Sequence, residues 1–490
     1  MILNKYNILS LSLNIKKPEY KYFLIKICEL YINGDKFKIL TKSFSEELGI
    51  SERTINESLK CLLAEGLLDR EKIAEGKGRP RSIFWLSKKL FLQLEKCNSN
   101  IKETHNQLIK ELFFSDRATK DAISNKVLLS KKKHPLKLSN RLLLSTLLLH
   151  ANKEGVVKHL GVGDLSKLTC MSFDRVSSQI GKLLKLGYIR TKYSGVTGSN
   201  LFGLSKGGYF LNLEHENFNS IKNNKITVCF DLRGDESNRQ TEALKLFRLA
   251  RTIEKRIEKK DHLDSIVLEL CKQVPCIDDI NGLTSYQKGR FFSGYHGDSN
   301  FWEITGFFQG QINIVEHLQI KLYDYATDFL TNNLDILTGE NKGECNKLAL
   351  RIERELIPAK FLQERNEDVF PSERQKMLLT KCIYNVSKGL AHWILCLIKN
   401  SKEIELSDCA ILIRPPITDG SFRHYFSVEI DTPNVSHLNN QVIKVSFPNL
   451  TQNESVSKES ELSLEERYLY GLATRPQKVV SRWPEKRNIV

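Results

Sequence analysis

The feature that most constrains this chain is a segment that occurs twice at a fixed distance. Gly34, Ile39 and Gly66 are matched by Gly155, Leu160 and Gly187, each pair 121 residues apart. Within the first copy Ile55, Leu59, Leu62 and Leu63 recur at helical spacing and predict a buried stripe, while Arg53, Thr54, Asn56, Glu57 and Lys60 fall on the opposite face. Ser51 is placed to cap that helix and Gly66 to stop it. In the second copy Val176, Ile180, Leu183 and Leu184 form the stripe, Ser172 caps and Gly187 stops. A short extended piece follows each helix, 67–73 or 188–193, then a glycine-bearing tip and an apolar strand. The tips are 76–81 and 195–200, and the strands are 83–86 and 201–204.

Helix, turn, helix and hairpin in this order resemble the winged helix-turn-helix transcription regulators of MarR and ArsR style. The resemblance covers roughly 20–90 and 139–212. It is carried by Leu-Gly-Ile-Ser at 48–51, Arg-Thr-Ile at 53–55, Glu-Gly-Leu-Leu at 65–68 and Gly-Lys-Gly-Arg-Pro-Arg at 76–81. It implies that the helix after each turn enters a major groove and that the wing lies along backbone or minor groove. The DNA-contacting set it implies is Ser51, Arg53, Thr54, Asn56 and Lys60 with Lys77, Arg79 and Arg81 of the first wing, then Ser172, Arg175, Ser177, Ser178, Gln179 and Lys182 of the second helix. The second copy departs from the first in two ways. It has Thr169-Cys170-Met171 where the first has Gly49-Ile50, one residue more between leucine and capping serine, and its wing has no basic residue.

The charge distribution points the same way. The net charge is +16 over 490 residues, but up to Lys225 there are 39 Lys and Arg against 21 Asp and Glu, while the remainder holds 35 against 37. The whole excess lies in the N-terminal stretch that contains the repeated segments, which suits counterion release from phosphates. The 11 cysteines are scattered without a Cys-x-x-Cys or a Cys/His cluster at zinc spacing, which fits a reducing cytoplasm. No stretch reads as a signal peptide or membrane span, and 142–149 is too short to cross a bilayer.

The expected organisation is a first winged domain at 1–90, a polar helical linker at 91–138 that ends in the basic run 131–133, and a second winged domain at 139–215. A mixed α/β domain at 216–450 and a flexible basic tail at 451–490 complete it. The fold class is mainly α with small β. In the C-terminal half 225–230, 410–414, 425–430 and 441–447 read as strands, and 242–271, 312–330 and 376–398 as helical. The aromatics Tyr286, Phe291, Phe292, Tyr295, Trp302, Phe307 and Phe308 predict core packing more readily than base stacking. Glu429 and Asp431 with Lys444 downstream have the composition of a metal-dependent nuclease site, and alternating charges on an exposed strand explain them equally well. No phosphate-binding loop is present. The expectation is a cytoplasmic, non-enzymatic, sequence-specific binder of double-stranded DNA without cofactor, used in transcriptional regulation or in replication initiation or partition of a mobile element. The C-terminal domain would serve oligomerisation or effector contact. Each winged domain made separately should bind DNA much more weakly than the pair.

Overall fold

The structure is a computed structural model. It describes residues 5–73, 81–97, 104–113, 136–198, 200–215, 217–218, 225–231, 241–258, 301–310, 312–340, 343–358, 371–401, 409–414, 425–431, 441–446, 453–456 and 459–473. The chain divides into two units. One comprises 1–192 and 208–221, the other 193–207 and 222–490.

In the first unit the sequence repeat becomes a structural one. Helices α1 (Pro18–Tyr31), α2 (Thr41–Leu48) and α3 (Glu52–Ala64) are followed by strands β2 (Leu68–Ile73) and β3 (Arg81–Leu86), after which α4 (Lys88–Cys97) begins. A two-residue strand β1 (Phe37–Lys38) pairs with β3, so β3 is central in a sheet ordered β1-β3-β2. The second copy runs α5 (Leu138–Leu149), β4 (Val156–Val157), α6 (Val162–Thr169), α7 (Phe173–Lys185) and β5 (Ile189–Tyr193); after the short paired strands β6 (Val196–Thr197) and β7 (Leu204–Ser205), β8 (Gly208–Leu211) is central in its sheet, β4-β8-β5.

The register of the repeat holds to single atoms. Gly49 and Cys170, 121 apart, both adopt left-handed backbone, at φ 62° and 56°. The Ser45 hydroxyl donates to the Ile50 carbonyl at 2.6 Å, and the Ser166 hydroxyl to that of Met171 at 2.5 Å. The apparent extra residue of the second copy is therefore absent. Cys170 stands where Gly49 does, Met171 where Ile50 does, and buried Thr169 takes the place of Leu48. Helices α3 and α7 end alike. The Leu67 amide donates to the Leu62 carbonyl and the Gly66 amide to that of Leu63, with Tyr188 to Leu183 and Gly187 to Leu184 in the second copy. This is the paired closure that a left-handed glycine after a helix permits.

The two copies are not separate domains joined by a linker. Helix α1 is buried from Tyr20 to Cys28 and α5 from Ser139 to Leu149, nearly all the way round. A helix without a solvated face must be surrounded. The two pack on each other, and the 3₁₀ turn Lys5–Ser10 packs on α1, α4, α5 and α6. One apolar core runs through both copies. Part of the expected linker joins it too, because Leu94, Leu108, Ile109 and Phe113 are buried and the Lys26 ammonium donates to the Phe113 carbonyl at 2.5 Å. The basic run 131–133 lies outside the described residues. Lys21 is wholly buried and donates to the carbonyls of Leu9 (3.3 Å), Leu11 (2.7 Å) and Leu168 (2.5 Å), pinning the N-terminal turn to the end of α6. Burial pulls its pKa down to about 8.

The second unit is a mixed sheet covered by helices. Strands β9 (Lys225–Asp231), β10 (Ala410–Arg414), β11 (Tyr425–Asp431), β12 (Gln441–Ser446) and β13 (Asn453–Val456) lie in the order β10-β11-β9-β12-β13. Only β9 and β12 run parallel. Ile226, Val228, Phe426, Val428, Ile430, Ile443 and Val445 point to one face. There they share a core with α8 (Glu242–Glu258), α9 (Ile312–Asn332), α11 (Asn346–Leu356) and α12 (Glu373–Ser401), once α10 (Leu334–Thr338) is passed. Phe307 and Phe308 belong to this core, whereas Tyr286, Phe291, Phe292 and Tyr295 lie outside the described residues. Part of the stretch expected as a flexible tail, 453–456 and 459–473, is structured. Strand β13 pairs with β12, and the serine-capped helix α13 (Leu464–Leu469) leads into Tyr470 and Leu472, which pack on the other face of the sheet. Among the described residues no helix is long and apolar enough to cross a membrane.

Candidate nucleic-acid interface

Helix α3 is set up by its turn. Gly49 supplies the left-handed backbone, Ile50 is buried as an anchor, and the Ser51 hydroxyl accepts the Thr54 amide at 3.2 Å. The Ser51 and Thr54 hydroxyls also meet at 2.9 Å, so both are spent on the helix start. Ile55, Ser58, Leu59 and Leu62 face inward, and Ser58 returns its hydroxyl to the Thr54 carbonyl. Arg53, Asn56 and Lys60 remain exposed. Steps of three and four residues put them on one stripe along the outer side of the helix.

One carboxylate organises the start of that stripe. Glu57 accepts from the Lys17 ammonium (3.0 Å) and the Tyr20 hydroxyl (2.8 Å) on one oxygen, and from Arg53 Nε (3.0 Å) on the other. The hydrogen bonds from Lys17, Tyr20 and Arg53, in that order, hold its carboxyl down to about 2. Lys17 precedes α1 and Tyr20 lies in its first turn, so this contact ties α1 to the outer face of α3.

The first hairpin carries further charge. Strands β2 and β3 pair from Leu68–Leu86 to Ile73–Arg81, and Arg70, Lys72 and Arg81 are exposed. Lys36 donates to Glu71 at 2.8 Å and sits 4.9 Å from the centre of the Trp85 ring. The tip residues Lys77 and Arg79 lie outside the described residues.

The second copy presents a different face. Ser172 caps α7 by accepting the Arg175 amide at 3.3 Å, and Ser177, Ser178 and Lys182 are exposed. Arg175, expected to contact DNA, instead turns inward. Its Nη2 donates to Glu19 of α1 at 2.6 Å and to Ser139 of α5 at 2.5 Å. Gln179 is buried as well, at the position that Ser58 holds in α3. Arg175 thereby joins the packing of the two copies, since Glu19 belongs to the first and Ser139 to the second.

The expected second wing is corrected more strongly. Residues 193–207 leave the first unit and join the core of the second, with Val196, Leu201 and Phe202 buried. The Phe202 amide donates to the Leu356 carbonyl at 2.6 Å, Asn200 to that of Gly306 at 2.6 Å, and Ser205 and His317 lie 3.0 Å apart. The strand pairing that closes the second hairpin comes from 208–211, not 201–204. An apolar tip free of charge is suited to a core and not to phosphates.

In the second unit the candidate nuclease residues separate. Lys444 bonds Glu466 at 3.0 Å, while Glu429 is buried 2.6 Å from Arg414 and 3.9 Å from Lys225, on the strands either side of it. A carboxylate matched by two cations is poorly disposed to hold a metal ion. Among the described residues no group of three or more His, Cys, Asp or Glu is arranged to hold a metal ion.

The sequence identified the α3 stripe but missed the hold that Glu57 has on it, since Lys17 and Tyr20 lie 40 and 37 residues away. The signal available was Glu57 itself, an acidic residue four positions after Arg53 on the outer face of α3. The chain matches no protein-family model, no curated protein and no solved structure.

Proposed function

We propose that this chain is a sequence-specific binder of double-stranded DNA, that its first unit is a fused pair of winged helix-turn-helix modules, and that α3 is the principal reader. The supporting observation is the exposed Arg53–Asn56–Lys60 stripe on a helix whose cap, turn and stop are all committed elsewhere, beside a hairpin that carries basic residues. The concentration of positive charge in this half of the chain supports the reading. Transcriptional regulation in the cytoplasm is the leading use, with the second unit for oligomerisation or effector contact.

One observation favours a second use, replication initiation or partition on a mobile element. The common core of the two copies fixes the spacing between α3 and α7, so one chain would span a site of constant length without a partner. Clustered direct repeats at an origin would support that use, and a palindrome over a promoter would support regulation.

The test is equilibrium binding of the full chain to a mixed-sequence duplex as salt is varied. The log-affinity should fall with log salt at a slope of about −3 or steeper, and substituting Lys77, Arg79 and Arg81 with Ala should reduce the slope by about one for each phosphate that is no longer neutralised. Binding that ignores salt, or no binding at low salt, refutes the proposal.

A further inference from the structure

Arg53 is the residue most able to read a base, yet its side chain is 88% exposed and a free guanidinium there would sample many rotamers. Glu57 restricts it. With Nε donated to Glu57 at 3.0 Å, the two terminal nitrogens of Arg53 have no protein partner among the described residues. The remaining fork is end-on, the geometry that pairs with two acceptors on one base edge. In the major groove guanine offers that pair, O6 and N7. Glu57 is itself clamped by Lys17 and Tyr20 on its other oxygen, so the carboxylate cannot swing away with the arginine.

We infer that Glu57 is a positioning residue that aims Arg53 at a guanine. The inference rests on the proposed DNA reading. Its negative charge works against phosphate attraction, and removing it would release Lys17 and Arg53 to any nearby phosphate. Glu57 thus exchanges general affinity for discrimination, whereas a residue with a merely structural role would lose both together.

The probe is the duplex recovered by selection with the full chain, with each guanine in turn replaced by 7-deazaguanine, which lacks the N7 acceptor. Wild-type protein should lose about tenfold affinity at one guanine, and Arg53→Ala should be insensitive to that replacement. Glu57→Ala should lose most of the discrimination at the same guanine while binding mixed-sequence duplex as well as wild type or better. Glu57→Gln, whose amide oxygen still accepts from Nε, should fall between and serves if the alanine variant does not fold. Adding Glu57→Ala to Arg53→Ala should change nothing further at that position. Wild-type discrimination in both Glu57 variants, or parallel loss of specific and non-specific binding, overturns the inference and leaves α3 as reader. Unchanged site selection by Arg53→Ala with Asn56→Ala overturns the DNA reading of α3 itself.

Discussion

Arg175 separates fold from recognition, because the repeat places its charge on the face proposed to meet DNA and the structure spends it on a contact with α1 and α5. Its Nη2 bonds Glu19 at 2.6 Å and Ser139 at 2.5 Å, joining α7 to both central helices. The ion pair is neither buried nor free, with side chains 37% and 26% exposed. Exposed pairs contribute about 0.2–1 kcal/mol, and buried hydrogen bonds to charged groups about 1.5–3 kcal/mol. Arg175→Ala should therefore cost about 1.5 kcal/mol, with Glu19 left close enough to water to avoid the full penalty of a stranded charge. For a unit of this size that lowers the midpoint of thermal unfolding by roughly 3–6 °C. Glu19→Ala should cost slightly less, and a double-mutant cycle in urea should give a coupling of about 1 kcal/mol that shrinks as salt rises. At temperatures where each variant is fully folded, affinity for the selected duplex should match wild type. Unchanged stability with a tenfold or greater loss of specific affinity would refute this reasoning and return Arg175 to the DNA face.

The repeat predicts opposite effects at equivalent positions. Gly49→Ala should destabilise by about 1–2 kcal/mol through its left-handed backbone alone, since an added Cβ meets nothing within 4 Å, whereas Cys170→Gly should relieve strain of the same kind; denaturant titration of both variants checks the sign. Lys21 makes stability rise with pH. Its pKa is about 8 in the fold against 10.5 in the open chain, so between those values the unfolded state holds the extra proton and contributes a slope of up to about 1.4 kcal/mol per pH unit, flat below pH 8. Lys21→Met should remove that increment from a pH series of urea midpoints, and an identical slope in the variant would count against it. Residues 1–90 made alone should lack a cooperative unfolding transition, because α1 loses the helix it packs on; a sharp thermal transition in that fragment would contradict a shared core.

The sequence revealed the repeat because its glycines and apolar stripes are local signals, and α3, α7 and their caps lie where the pattern put them. It misaligned the turn because Leu48 and Leu168 look alike, while the true correspondence is backbone conformation, which Cys170 adopts without the usual glycine. The all-apolar run 142–149 carried the information that α5 has no solvated side, and hence that the copies share a core, but periodicity alone does not name the partner that covers it. The second hairpin was misread for a related reason. Leu201–Leu204 has the composition of a strand, yet its apolar residues serve the other unit. Partners distant in sequence, such as Glu19 for Arg175 at a separation of 156, leave no trace in a single chain. In the C-terminal half the strand positions were legible from alternation, and the burial of Glu429 between Arg414 and Lys225 was not.

The central claim is that α3 reads DNA, and selection of bound duplexes from a random pool tests it most directly. The full chain should enrich one motif, and Arg53→Ala with Asn56→Ala should retain salt-dependent binding while enriching no motif or one with those positions relaxed. Enrichment of the same motif with undiminished preference would contradict the account.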